Sequence, residues 1–247
     1  MLRTAAWALL FVGLAAAAKD YCSLCKNHPM CMFKTNSPGK ACRHYQGPAI
    51  TKADKDLIVR LHNEYRNKVA LGQEKRGKNG HAQPSAADMR KMVWDDETAA
   101  IAQRWANQCN YDHDKCHSTQ LMVYPVDKIF SSAANQKGPN WPDVVKAWYE
   151  EVDLRDGNLN KQLFKWDSTF EDIGHYIQMV WAKSYAVGCG YSMYSTDGGS
   201  KANVHLVVCN YKPLGNNEGQ YVYTVGKPAS KCPAGTKQDS KYKGLCA

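Results

Sequence analysis

Gly174-His175-Tyr176-Ile177-Gln178-Met179-Val180-Trp181 is the stretch that organises the chain. It sets one imidazole, one amide and five large apolar or aromatic side chains within eight residues, ahead of Gly188-Cys189-Gly190, which reads as a turn. A run this apolar has to be buried, and a buried imidazole needs a polar partner. The sequence offers two. His62 lies on an earlier amphipathic pattern, and Glu151 follows one turn beyond Trp148 on another. The plain alternative is a core histidine satisfied by a backbone carbonyl.

Working outward, the first 18 residues carry one positive charge at Arg3, an apolar core from Ala5 to Leu14, and small residues Ala16 and Ala18. This is the pattern of a secretory signal peptide, with an apolar part too short to span a bilayer. No later stretch reads as a membrane span. Beyond residue 18 there remain 229 residues, enough for one substantial core, with a formal charge of +8 once Arg3 is gone. All ten cysteines lie in that part, which implies an oxidising compartment and up to five disulfides. Only Cys22 and Cys25 have the spacing of a zinc knuckle, and no second knuckle closes a structural site. The basic residues are scattered, so they form a solvated surface suited to acidic glycans or cell surfaces and imply no nucleic-acid partner. No Asn-x-Ser/Thr acceptor occurs.

Residues 19–50 hold four cysteines among Pro, Gly, Asn and Lys, and read as an irregular arm that needs disulfides to stay folded. Thr51-Lys52-Ala53-Asp54 then opens a helix with Asp in the capping-box position. Leu57, Leu61, Tyr65 and Val69, with Ile58 beside them, give an amphipathic helix to about residue 71, with His62 at the edge of its buried stripe. Residues 72–85 form a loop, and 91–94 a short strand that ends at Asp95-Asp96, a cap for a second helix whose Ala102, Trp105, Ala106 and Cys109 face inward. Residues 110–138 lack periodicity. Pro142 opens a third helix, with Val144, Val145, Trp148 and Val152 facing the core. Two β-rich runs, 187–195 and 203–211, are separated by Thr196-Asp197-Gly198-Gly199 and predict a hairpin with Cys189 and Cys209 close enough to bridge. The tail, 219–247, has few apolar residues and its own cysteine pair, and reads as a surface appendage.

These motifs resemble the CAP superfamily (cysteine-rich secretory proteins, antigen 5 and plant pathogenesis-related proteins), and within it the insect antigen 5 branch. His62-Asn63-Glu64-Tyr65-Arg66 is similar to the family's His-Asn-x-x-Arg helix. Residues 174–181 are similar to its first signature, and Leu206-Val207-Val208-Cys209-Asn210-Tyr211-Lys212-Pro213-Leu214-Gly215-Asn216 to its second. Trp105-Ala106-Asn107-Gln108-Cys109, Cys116 and the cysteine arm fit antigen 5 spacing. The resemblance implies an α+β fold, an α-β-α sandwich over residues 51–218, with a disulfide-pinned N-terminal arm and a small cysteine-closed tail. It also implies the pairs Cys22–Cys31, Cys25–Cys116, Cys42–Cys109 and Cys189–Cys209, which leaves Cys232–Cys246 for the tail.

The family's cavity holds two histidines and two acidic groups, and the resemblance carries three of these onto His62, His175 and Glu151. The fourth falls on Lys128, with Asp127 as the alternative. Two neutral imidazoles and a carboxylate suit Zn or Cu. With Lys128 in place of the second acid there is no evident general base, so the expectation is a salivary or venom protein that is not an enzyme. It would be a monomer that binds host proteins and meets host IgE as an allergen. Metal-dependent redox or hydrolytic activity, and the scavenging of small lipids, are the alternatives the family also suggests.

Overall fold

The computed structural model describes residues 19–47, 49–110, 116, 124–125, 138–166, 170–195 and 204–247, with backbone alone at 124–125 and 170–171. The leader at residues 1–18, the Thr196–Gly199 turn, Asp127 and Lys128 lie outside the described residues.

Two short helices, α1 (Tyr21–Leu24) and α2 (Pro29–Met32), and strand β1 (Arg43–Gln46) make up the arm. Helix α3 (Lys52–Ala70) begins in the expected capping box: the Thr51 hydroxyl accepts the Asp54 N–H, and Asp54 accepts the Thr51 N–H. Strand β2 (Val93–Trp94) leads into α4 (Asp96–Ala106), capped by the Asp95 carboxylate on the Thr98 N–H at 2.7 Å. After β3 (Tyr124–Pro125) come α5 (Trp141–Glu150), with Pro142 in its first turn, and α6 (Phe170–Met179). Strands β4 (Ala186–Ser195) and β5 (Val204–Lys212) pair antiparallel with Cys189 directly opposite Cys209. The sheet runs β1-β4-β5-β3. Parallel β2 shares the outer edge of β4 with β1, at the other end of the strand.

The sheet is covered on both faces. Ala102, Trp105 and Ala106 of α4 pack on Tyr194, Leu206 and Val208. On the other face, α3, α5 and α6 share a core with Val187, Cys189, Tyr191, Val207, Cys209 and Tyr211. The molecule is therefore an α+β fold, an α-β-α sandwich.

All ten cysteines are paired, in the combinations the resemblance implied. Cys25–Cys116 closes the longest interval, 91 residues, and Cys42–Cys109 ties the arm to the end of α4. The arm does more than hang from these links, because β1 adds a strand to the sheet.

Three expectations are corrected. First, Gly188-Cys189-Gly190 is not a turn but the interior of β4. A Cβ on Gly190 would stand 2.4 Å from the Gln103 Cα and one on Gly188 2.2 Å from the Ala99 N, so the glycines let α4 lie directly on the strand. Second, the buried stripe of α3 runs through Ile58, His62, Arg66, Val69 and Ala70, while Leu57, Leu61 and Tyr65 are only partly buried. His62 is fully enclosed rather than at the edge. Third, the tail is packed into the body. Tyr242 and Leu245 belong to the main core, Cys246 exchanges backbone bonds with Met89 and Lys91 at 2.8 Å each, and the Gly244 N–H reaches the Asn67 side chain. Few apolar residues suffice because backbone bonds to the 87–91 segment set them in place.

Candidate functional site

The site grows from three elements of one layer. Helix α3 brings in His62, the C-terminal end of α5 brings Trp148 and Glu151, and α6 brings His175 and Tyr176. Glu151 is the C-cap of α5 and opens the 3-10 turn Glu151–Leu154, where the backbone swings toward α6. Its carboxylate grips α6 at two points. One oxygen lies 2.6 Å from Nδ1 of His175, and the other accepts the Tyr176 N–H at 2.9 Å. The imidazole lies nearly parallel to the Trp148 indole, 5.8 Å centroid to centroid. So His175 finds the carboxylate partner that its burial called for, and keeps 17 % side-chain exposure, with Glu151 at 18 %.

His62 sits deeper. Its Nδ1 is 2.8 Å from the Ile58 carbonyl, and its Nε2 is 2.9 Å from the Tyr211 hydroxyl. A carbonyl only accepts, so Nδ1 carries the proton and Nε2 receives the Tyr211 O–H. Burial holds this ring neutral, its pKa lowered to about 4, with the nearby Arg66 charge acting the same way and the Ile58 bond opposing. Burial also raises the Tyr211 hydroxyl well above its ordinary value, with the nearby Arg66 charge opposing the rise and the Glu151 charge adding a smaller push upward. Among the described residues no group of three or more His, Cys, Asp or Glu side chains gathers as a metal cage.

Two neighbours hold the site's floor. Asn63 acts as a piece of backbone toward Met92, accepting its N–H at 2.8 Å and donating to its carbonyl at 2.9 Å. Arg66 is fully buried and donates to the backbone carbonyls of Arg90, Met179, Trp181, Ala182 and Ser184. It therefore collects the carbonyls at the end of α6 and the loop beyond it, where a helix terminus leaves them unpaired. Burial lowers its pKa to about 9, still charged at neutral pH.

A family model for the cysteine-rich secretory protein family, CAP, matches residues 59–211, which include His62, Glu151, His175 and Tyr211. The chain belongs to this family. Its relatives include venom allergen 3 of Solenopsis invicta, 40 % identical over 219 residues that cover 85 % of this chain and 91 % of that one. Venom allergen 5 of Rhynchium brunneum is 42 % identical over 218 residues, covering 87 % and 93 %. Among solved structures, NaASP2 with Zn2+ superposes with a TM-score of 0.65 at 29 % identity, over 85 % of this chain and 100 % of that one. As a CAP protein of antigen 5 type, the chain keeps His62, Glu151 and His175 in one helical layer, yet only Glu151 and His175 touch. Tyr211 was missed from sequence. The available signal was its place two residues after Cys209, on the same inward face of β5.

Proposed function

We propose that the chain is a secreted, disulfide-braced antigen 5-like protein that acts on host molecules by binding, without chemical turnover, and that hosts meet it as an allergen through IgE. The observation that carries this reading is how the polar atoms of the site are engaged. Both oxygens of Glu151 hold α6, and both nitrogens of His62 are bonded to the fold. A general base has to reach a substrate proton, directly or through one water, and these groups are instead committed to neighbours. Names such as venom allergen 3 and 5 among the relatives favour a host-directed role, and the scattered positive charge suits acidic host surfaces. The test is a panel of peptide, ester and redox substrates with the purified secreted protein, with and without added Zn²⁺ or Cu²⁺. No turnover is expected. Turnover abolished by both Glu151→Gln and His175→Ala would overturn the reading.

A second reading, that the site takes up a zinc or copper ion, has its own support. Glu151 on Nδ1 of His175 and the Ile58 carbonyl on Nδ1 of His62 both select the tautomer that ligates through Nε2. The related structure's description as NaASP2 with Zn2+ agrees with it. An ion here would supply a Lewis acid, and His175 with Glu151 is the part of the group that solvent reaches. Zinc titration by calorimetry should show one weak site that His175→Ala removes, whereas heat that survives this substitution would place the ion elsewhere.

A further inference from the structure

We propose that Asn79 is a site of self-modification: the Gly80 peptide nitrogen closes on its side chain, and water then turns the residue into aspartate and isoaspartate. This goes beyond the binding role above and does not depend on it.

Asn79-Gly80 is the one Asn-Gly pair in the sequence, and such a pair marks a turn. It completes the tight turn Lys78–Gly80 on an exposed stretch, residues 78–82. Asn79 takes the left-handed conformation at φ 60°, and Gly80 follows at φ 76°. Ring closure asks for an unengaged carboxamide, a following residue with no side chain in the way, and a backbone that can rotate. Among the described residues nothing bonds to the Asn79 carboxamide. Gly80 has no Cβ, and one built there would meet nothing within 4 Å, so the turn is open on that side. The flanks are tied to a neighbouring segment, by the Lys78 N–H on the Arg155 carbonyl at 3.0 Å and the Gly157 N–H on the His81 carbonyl at 3.3 Å. Within the turn, the Gly80 N–H holds the Gly77 carbonyl at 3.1 Å and the His81 N–H holds the Lys78 carbonyl at 3.2 Å. The Gly80 bond has to open before the nitrogen attacks, and water replaces such bonds readily at an exposed tip.

Other asparagines lack the combination. Asn36 is exposed, but its side-chain oxygen accepts the Arg104 Nε–H at 2.7 Å and Ser37 follows it. Asn158 is exposed, but Leu159 follows it. Asn216 shares the left-handed conformation at φ 52°, but it is 1 % exposed and its side chain donates to the Gly174 carbonyl.

The chemistry needs only water and a solvent base. The Gly80 nitrogen gives up its proton and attacks Cγ of Asn79. A C–N bond forms, the Cγ–Nδ2 bond breaks, and ammonia leaves with a proton taken from water. The five-membered succinimide adds water at either carbonyl. One opening gives aspartate, and the other leaves the main chain running through Cγ as isoaspartate. Nothing is oxidised or reduced, and the closeness of the two groups supplies the rate. The product adds a negative charge to a loop that carries Lys75, Arg76 and Lys78.

The experiment holds the full secreted chain at neutral pH for several weeks, beside Asn79→Gln and a synthetic peptide of residues 75–83. Each is followed by tryptic mass mapping. The wild type should lose intact Asn79 steadily, with isoaspartate the larger product, and gain an earlier peak on cation exchange. Raising the pH should speed the conversion, since the nitrogen must lose its proton. Asn79→Gln should keep a single peak, because its longer side chain closes a six-membered ring far more slowly. Its melting should match the wild type, as expected at an exposed turn. The peptide should convert faster than the folded chain, which has the turn bond to open. A folded chain that keeps Asn79 intact overturns the proposal, whether or not the peptide converts. Conversion that appears first at Asn36 or Asn158 overturns it as well.

Discussion

Acid reaches this protein through His62. In the folded chain the ring sits among α3 and β5 with its pKa lowered from 6.5 to about 4, first by burial and then by the Arg66 charge. The unfolded chain would protonate the same ring near its ordinary value. Between those two pH values the unfolded state binds a proton that the native state refuses, so stability rises with pH across the window and falls as pH drops through it. A shift of this size corresponds to roughly 3 kcal/mol, fully lost once pH falls to the folded value. Glu74 responds at lower pH. Burial would raise its pKa, but bonds from Arg76, Lys68 and Tyr149 outweigh it and bring the carboxylate from 4.5 to about 2, so its contribution is lost only below 4.5. Urea unfolding at pH 7, 5.5 and 4.5 reads this loss, to which His28 and His205, also lowered by burial, add, and the same series on His62→Gln separates the His62 share. A flat stability profile across those three values would mean that native His62 takes up its proton as readily as the unfolded chain does.

Each element carries one local rule and one tertiary one, and the two were unequally legible. The Thr51 and Asp54 box, the Asp95 cap, Pro142 in the first turn of α5 and the Cys189–Cys209 pairing are short-range patterns, and the sequence was sufficient for them. The face of α3 was not, because hydropathy counts His62, Asn63 and Arg66 as polar. Their polarity is answered by backbone groups of the 90–92 and 179–184 segments, which no local window contains. The same blindness applied to Gly188 and Gly190, where the reason for glycine is helix α4, whose Ala99 and Gln103 lie far earlier in the chain. For the site, the His175–Glu151 contact could be anticipated from two apolar faces, whereas Tyr211 on His62 required the register of β5. Gly190→Ala tests the close approach of α4. Its Cβ would meet the Gln103 N and Cα at 2.4 Å, backbone atoms that cannot swing aside. The substitution should cost about 3 kcal/mol, the upper part of the usual overpacking range, seen as a lower urea midpoint with an unchanged slope. A midpoint within error of wild type would mean that α4 can lift off the strand freely.

At the scale of the whole molecule, the arm and the tail brace the sandwich from opposite ends of the chain. The arm is stitched by Cys25–Cys116 and Cys42–Cys109 and by β1 on the edge of β4. The tail carries only its local Cys232–Cys246 link, so its attachment depends on packing and backbone bonds. Leu245 is fully buried in the core shared by α3, α5 and α6, with Tyr242 beside it. Lys91 pairs with the buried Asp239 at 2.8 Å, and the Lys231 N–H reaches the Ala87 carbonyl. Deleting residues 226–247 would uncover the Met89 and Ala87 carbonyls and open the space filled by Leu245. Removing a buried Leu side chain alone costs about 2–5 kcal/mol, so the truncation should lose at least that much and melt well below the full chain. Leu245→Ala keeps the disulfide and the backbone bonds, and should account for a large share of the loss. Thermal melts of the three secreted proteins decide the matter. If the truncated chain melted with the full one, the tail's contacts would be those of a segment resting on a body that is complete without it, and Leu245→Ala would then be equally silent.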